Sequence, residues 1–199
     1  ECVMRNYAVR RSFFWVLFFI MAVCALPSAE VALAAETRPS NWAQPVELKE
    51  SENFFRVTAD VYRAAQPSKK GMKAYEAFGI RTVINLRARH SDDDEAEGTK
   101  LVLVHIPTRT RKVSSDEVVV KALQAIRDAE KPVLVHCMHG ADRTGLIIAM
   151  YRIVEQGWSR DAALEEMKNG GFGFHSIWTH IPEYLENLDD AAVDRIRGA

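Results

Sequence analysis

The stretch HCMHGADRTG, residues 136 to 145, places a cysteine and an arginine with five residues between them. It follows the apolar run PVLV and opens the apolar segment LIIAMYRIV. A loop that leaves a buried strand, turns at Gly140 and enters a helix at Arg143 to Gly145 can aim several backbone N–H groups at one point. Such a nest, backed by a helix N-terminus, binds a tetrahedral oxyanion and favours the thiolate form of a cysteine beneath it. Arg143 adds a planar guanidinium able to hold two phosphate oxygens while Cys137 attacks the phosphorus in line. Thr144 can donate its hydroxyl to the Cys137 sulfur, stabilising the departing thiolate when water hydrolyses a phosphocysteine. Met138, His139, Gly140, Ala141 and Asp142 complete the cradle, and His136 holds it by hydrogen bonds. The plainer alternative for Cys137 is a small buried hydrophobe.

These residues need elements to position them, and the pattern supplies alternating strands and helices. Strands are expected at DVYRAA (60–65), RTVINLR (81–87), LVLVHI (101–106) and PVLVHC (132–137), the last two reading as covered on both faces. Ser114 with Glu117 reads as a capping box ahead of Val119, Ala122, Leu123 and Ile126, which recur at helical spacing. Shorter helices are expected over Lys69 to Phe78, ending at Gly79, and over Ser159 to Lys168, ending at Asn169 and Gly170. Ile181, Leu185, Leu188 and Ala192 mark one amphipathic C-terminal helix. The expected fold is α/β, with a mainly parallel central sheet of about four to five strands flanked by helices. Ligands of such sheets collect beyond the carboxyl ends of the strands, where the 136–145 loop lies.

The 199 residues are 48% hydrophobic and 27% charged, enough for one domain with an ample core. A net charge of −1 gives no long-range attraction for nucleic acid or an anionic membrane. At the N-terminus, Arg5, Arg10 and Arg11 precede FFWVLFFIMAVCAL, and ALA at 32–34 offers small residues for cleavage, as an export signal does. Met4 is read as the start. The apolar run of 14 residues, Phe13 to Leu26, falls short of the roughly 20 needed for a membrane-spanning helix. Residues 1–34 are therefore expected as a signal peptide, 35–52 as a flexible leader with two prolines, and 53–199 as the catalytic domain of an exported, periplasmic or secreted monomer. Cleavage would remove Cys2 and Cys24. Cys137 would then stand alone and could form no internal disulfide.

The loop resembles the signature of the cysteine-based protein tyrosine and dual-specificity phosphatases: His, Cys, five residues, Arg, then Ser or Thr. VYRAAQPS, GIRTVINLR and NGGFGFHSIW are similar to segments of the bacterial dual-specificity-like group, so the resemblance spans roughly residues 53 to 190. It implies the phosphatase α/β fold, Cys137 as nucleophile, Arg143 as phosphate ligand and no metal or organic cofactor. The partner it implies is a phosphorylated protein, small molecule or lipid.

The sequence departs from that family at the general acid. Members carry an aspartate on the loop after the strand corresponding to LVLVHIP, where this chain reads TRTRKVSSDE. Asp116 and Glu117 are better placed to complement a helix N-terminus. Asp142 is the stronger candidate, although a carboxylate beside arginine stays ionised and donates poorly. A third reading needs no acid, because the leaving group is itself a phosphate. Arg109, Arg111 and Lys112 put positive charge near the site and would favour a multiply phosphorylated substrate such as an inositol phosphate or phosphoinositide. Two rivals stand beside the phosphatase: a phosphate-binding pseudoenzyme without turnover, and a thiol redox or arsenate enzyme, which commonly needs a second cysteine. His90, His105, His175 and His180 show no metal spacing. The acidic run SDDDEAE (91–97) reads as a solvated loop, and Gly170, Gly171 and Gly173 as a turn or a wall of the cleft.

Overall fold

Four parallel strands carry the site, and each was legible as a β-branched run. In the computed structural model, which describes residues 38–199, the chain order is β1 (Gln44–Pro45), β2 (Phe55–Arg56), β3 (Val61–Ala64), α1 (Lys69–Phe78), β4 (Thr82–Arg87) and β5 (Val102–Thr108). There follow a 3₁₀ turn (Thr110–Lys112), α2 (Asp116–Asp128), β6 (Val133–His136), α3 (Asp142–Val154), α4 (Arg160–Asn169), α5 (His180–Glu186) and α6 (Asp190–Gly198). The sheet runs β1-β2-β3-β6-β4-β5. β3, β6, β4 and β5 are parallel, while β1 and β2 add two short antiparallel strands at one edge, which takes the sheet to six strands.

Side chains alternate across the sheet, as the pleat requires. Val61, Ile84, Leu86, Val133 and Val135 face a core closed by α2, α3, α4 and α6. Tyr62, Ala64, Val83 and Leu134 face a second core closed by Met72 and Tyr75 of α1. Only Arg143 and Tyr151 of α3 escape full burial, so this helix has no polar face and is the hub of the larger core. β6 sits between β3 and β4, which delivers Cys137 to the middle of the sheet's carboxyl edge.

Several expectations need correction. β5 is an edge strand with one side partly in solvent, and Val102 is 48% exposed, so LVLVHI is not covered on both faces. β6 is buried along its whole length, as expected of PVLVHC, and so are β3 and nearly all of β4, whose TVINLR run contains polar residues that find partners. Ser115 rather than Ser114 caps α2, accepting from the Val118 N–H, whereas Val119, Ala122, Leu123 and Ile126 are its buried face as expected. The C-terminal amphipathic pattern breaks into α5 and α6, because the Asp189 side chain caps a new helix by accepting from the Ala192 N–H.

The segment 38–52, expected as a flexible leader, belongs to the fold. Gln44 pairs with Arg56 across the sheet edge. The Ala43 N–H donates to the buried Glu166 carboxylate at 2.5 Å, and Arg38 donates to the carbonyls of Ala43 and Gly170. Short strands and buried backbone amides leave no hydrophobic periodicity, so composition alone could not reveal them. The expected signal peptide, residues 1–34, lies outside the described residues.

Candidate active site

The loop from Cys137 to Ala141 joins β6 to α3, and its conformation is fixed from below. Gly140 has φ 68°, and a Cβ there would stand 2.4 Å from the Ala64 carbonyl oxygen, so only glycine lets the loop pass over β3. The Gly140 carbonyl accepts from the Arg63 guanidinium at 2.6 Å, and that guanidinium lies 3.6 Å over the Phe172 ring. Burial pushes the Arg63 pKa down to about 9 against the opposing pull of Glu166 and Cys137, which leaves it a cation at neutral pH. The Gln66 N–H donates to the Met138 carbonyl, and the Asn53 amide donates to the carbonyls of both His139 and Phe172. With the carbonyls tied down, the amides point the other way. Among the described residues, the N–H groups of residues 138 to 143 donate to no carbonyl, which leaves a nest of free donors at the start of α3.

Cys137 is a free thiol, 2% exposed, at the floor of this nest. The Arg143 guanidinium donates to the carbonyls of Leu86 and Thr108, at 3.3 and 3.1 Å, and so is anchored on the carboxyl ends of β4 and β5. Thr144 departs from expectation: its hydroxyl is buried and, among the described residues, bonds to neither Cys137 nor any other group. Helix α3 turns that hydroxyl inward, within a core where no acceptor faces it.

His136 is wholly buried and its Nε2 lies 2.7 Å from the Asp92 carboxylate, which also accepts from the Gln66 amide. Burial raises the Asp92 pKa, but the hydrogen bonds from His136 and Gln66 and the charges of His136 and His90 outweigh it and leave it below the ordinary value. Asp92 lies in the acidic run expected to be a solvated loop; it is 4% exposed and braces the histidine next to Cys137. At the other end of the loop, Asp142 accepts from the His175 N–H at 2.9 Å and lies 3.0 Å from its Nδ1.

A cavity of about 460 Å³ opens beside the loop, lined by Arg87, Ala88, Arg89, Arg109, Thr110, Met138 and Arg143. Four of these seven are arginines, and none is acidic. Arg109 lines this cavity. Arg111 lines a different cavity with Asp116 and Glu183, and Lys112 lines neither, so the basic cluster divides. Asp116 accepts from the Tyr184 hydroxyl and Glu117 pairs with Lys121, which commits both to structural contacts. Asp142 and His139 are not among the residues lining the cavity; they turn toward His175.

A family model described as "DSP-PTPase phosphatase fused to NAD+ Kinase" matches residues 35–181. The chain belongs to the dual-specificity cysteine phosphatases. The dual specificity protein phosphatase TpbA of Pseudomonas aeruginosa is 39% identical over 170 residues, covering 83% of this chain and 74% of that protein. A crystal structure of P. aeruginosa TpbA matches with a TM-score of 0.72 and 36% identity, over 81% of this chain and 97% of that one. Inositol diphosphatase DSP3 of Arabidopsis thaliana is 29% identical over 133 residues, 62% of this chain and 65% of its own length. The resemblance read from the sequence therefore stands, and the enzyme is a cysteine-dependent phosphatase rather than a binding-only or redox protein.

Sequence reasoning missed four residues that shape this phosphatase's site: Asn53, Arg63, Asp92 and His175. For Arg63 a signal was present, since a cation inside the run VYRAA must find a buried partner or spoil the strand. Asn53, at φ 53°, and His175 carry no such mark in the linear pattern.

Proposed function

We propose that the enzyme removes phosphate from a compact, multiply phosphorylated substrate of the inositol phosphate class, and from diphosphates ahead of simple monoesters. The observation that carries this reading is the arginine-lined cavity without an acidic residue. Cys137 Sγ attacks phosphorus, the P–O bond to the leaving group breaks, and the phosphoryl group passes to sulfur as its three oxygens are held by the free amides and Arg143. Water then attacks the phosphocysteine, releasing inorganic phosphate and restoring the thiolate. A phosphate leaving group carries its own negative charge comfortably, so the first step needs no proton donor. Arg87, Arg89 and Arg109 hold the remaining phosphates by charge-assisted hydrogen bonds. Met138, His139, Gly140, Ala141 and Asp142 serve through the shape of their backbone.

Relatives named as inositol diphosphatases support this choice. Phosphotyrosine is the second reading, favoured by the TpbA structure described in complex with it. We further propose that the N-terminal basic and apolar segment directs export and is removed, leaving a periplasmic or secreted monomer; N-terminal sequencing of the protein recovered outside the cytoplasm tests this.

Kinetics on an inositol pyrophosphate, a phosphotyrosine peptide and an aryl phosphate test the substrate reading. The Arg87→Ala, Arg89→Ala, Arg109→Ala triple variant should lose about tenfold or more in kcat/KM on the inositol substrate, and less than about threefold on the aryl phosphate, since each lost arginine contact is worth about a kcal/mol. Equal losses on all three overturn it. Cys137→Ser should abolish turnover while still binding phosphate or vanadate, and Arg143→Ala should lose both.

A further inference from the structure

His139, Asp142 and His175 each offer a ligand atom within 4.8 Å of the others. Two belong to the phosphate loop and the third to the segment between α4 and α5, and none lines the substrate cavity. We propose that these three side chains form a binding site for a divalent transition metal ion, with zinc as the ion their chemistry favours.

Two imidazole nitrogens and a carboxylate oxygen are a donor set suited to zinc, whereas calcium and magnesium call for oxygen alone. The spacing is close to what coordination requires. Ligand atoms around a tetrahedral zinc with bonds of about 2.0–2.1 Å stand about 3.3 Å apart. Asp142 Oδ2 and His175 Nδ1 are already 3.0 Å apart, and the His139 and His175 rings have centroids 5.3 Å apart. Only His139 needs to move, and its exposed side chain is free to rotate.

The backbone holds the set together. The His175 N–H donates to Asp142 Oδ1, which orients the carboxylate and leaves Oδ2 for an ion. The Asn53 amide fixes the main chain at His139 through its carbonyl. The Asp142 side chain is 9% exposed, and its one ion-pair partner among the described residues is His175. Arg143, its neighbour in sequence, is drawn instead to the carbonyls of Leu86 and Thr108. A nearly buried carboxylate that faces two imidazoles and no fixed cation is a favourable place for a divalent ion. Three protein ligands leave at least one coordination position for water. The second cluster, His90, Asp92 and Glu95, is the weaker candidate, because both Asp92 oxygens are already taken by His136 and Gln66.

Calorimetric titration with zinc in the Cys137→Ser background removes the nucleophile as a rival ligand. One equivalent should bind, and adding His139→Ala or His175→Ala should weaken binding about tenfold or more, with circular dichroism unchanged. Adding His175→Cys in place of His175→Ala should restore much of the affinity, because a thiolate is also a zinc ligand. Absence of binding in Cys137→Ser overturns the proposal. So does undiminished binding when both histidines are alanine, which places the ion elsewhere.

Discussion

His136–Asp92 and His175–Asp142 are both histidine–aspartate pairs, and they brace opposite ends of one loop. In the first, His136 precedes Cys137, both side chains are within 2% of full burial, and Asp92 takes a further hydrogen bond from Gln66. In the second, Asp142 precedes Arg143 and is nearly buried, but the His175 side chain is 48% exposed. The buried pair has lost its water and cannot let go without stranding a polar group. The rim pair keeps one partner in solvent and can exchange it. The first therefore holds the residue next to Cys137 in place, and the second stays open to solvent at the rim.

The largest effect should come from Asp92→Ala, which leaves the His136 imidazole buried without its partner. Breaking a buried pair costs about 3 kcal/mol or more. At roughly 2–4 °C per kcal/mol for a domain of this size, thermal denaturation should show a fall of roughly 6–12 °C. Aryl phosphate turnover should fall with it. Asp142→Ala should cost about 1 kcal/mol, because solvent replaces the contact on the His175 side. A loss as large as that of Asp92→Ala would erase the distinction between the pairs.

Acid unfolding sharpens the comparison. Asp92 is held below the ordinary carboxylate value of about 3.9, so its contribution to stability is present above that pH and is lost as pH falls through the lowered value. Stability of the wild type should therefore drop below about pH 4, and Asp92→Asn should be less stable at neutral pH but show a shallower drop in that acid range. Urea denaturation as a function of pH measures both. The smallest effect belongs to His175→Ala, which should shift stability by less than about 0.5 kcal/mol in urea denaturation, as an exposed side chain does.

Two buried arginines make the same point about what can be read from a linear pattern. Arg152 lies in α3, with Glu166 bidentate at 2.8 Å and the Trp158 ring 4.3 Å away. Arg63 makes no hydrogen bond to a carboxylate; the Gly140 carbonyl and the Phe172 ring receive it. Both stand inside apolar runs and look alike in sequence. Their partners come from distant segments, and only folding decides which arginine meets a carboxylate and which a carbonyl and an aromatic ring.

The sequence by itself determined the strand and helix alternation, the Cys-to-Arg spacing, the need for glycine at 140 and the buried face of α2, because each rests on local periodicity or a local backbone constraint. Tertiary structure decided which carboxylate braces which histidine, which of the three basic residues after β5 reaches the cavity, and that residues 38–52 complete the sheet edge. Those outcomes depend on contacts between segments dozens of residues apart. Electrostatic partnership acts through space, and the spacing of charges along a chain does not encode it.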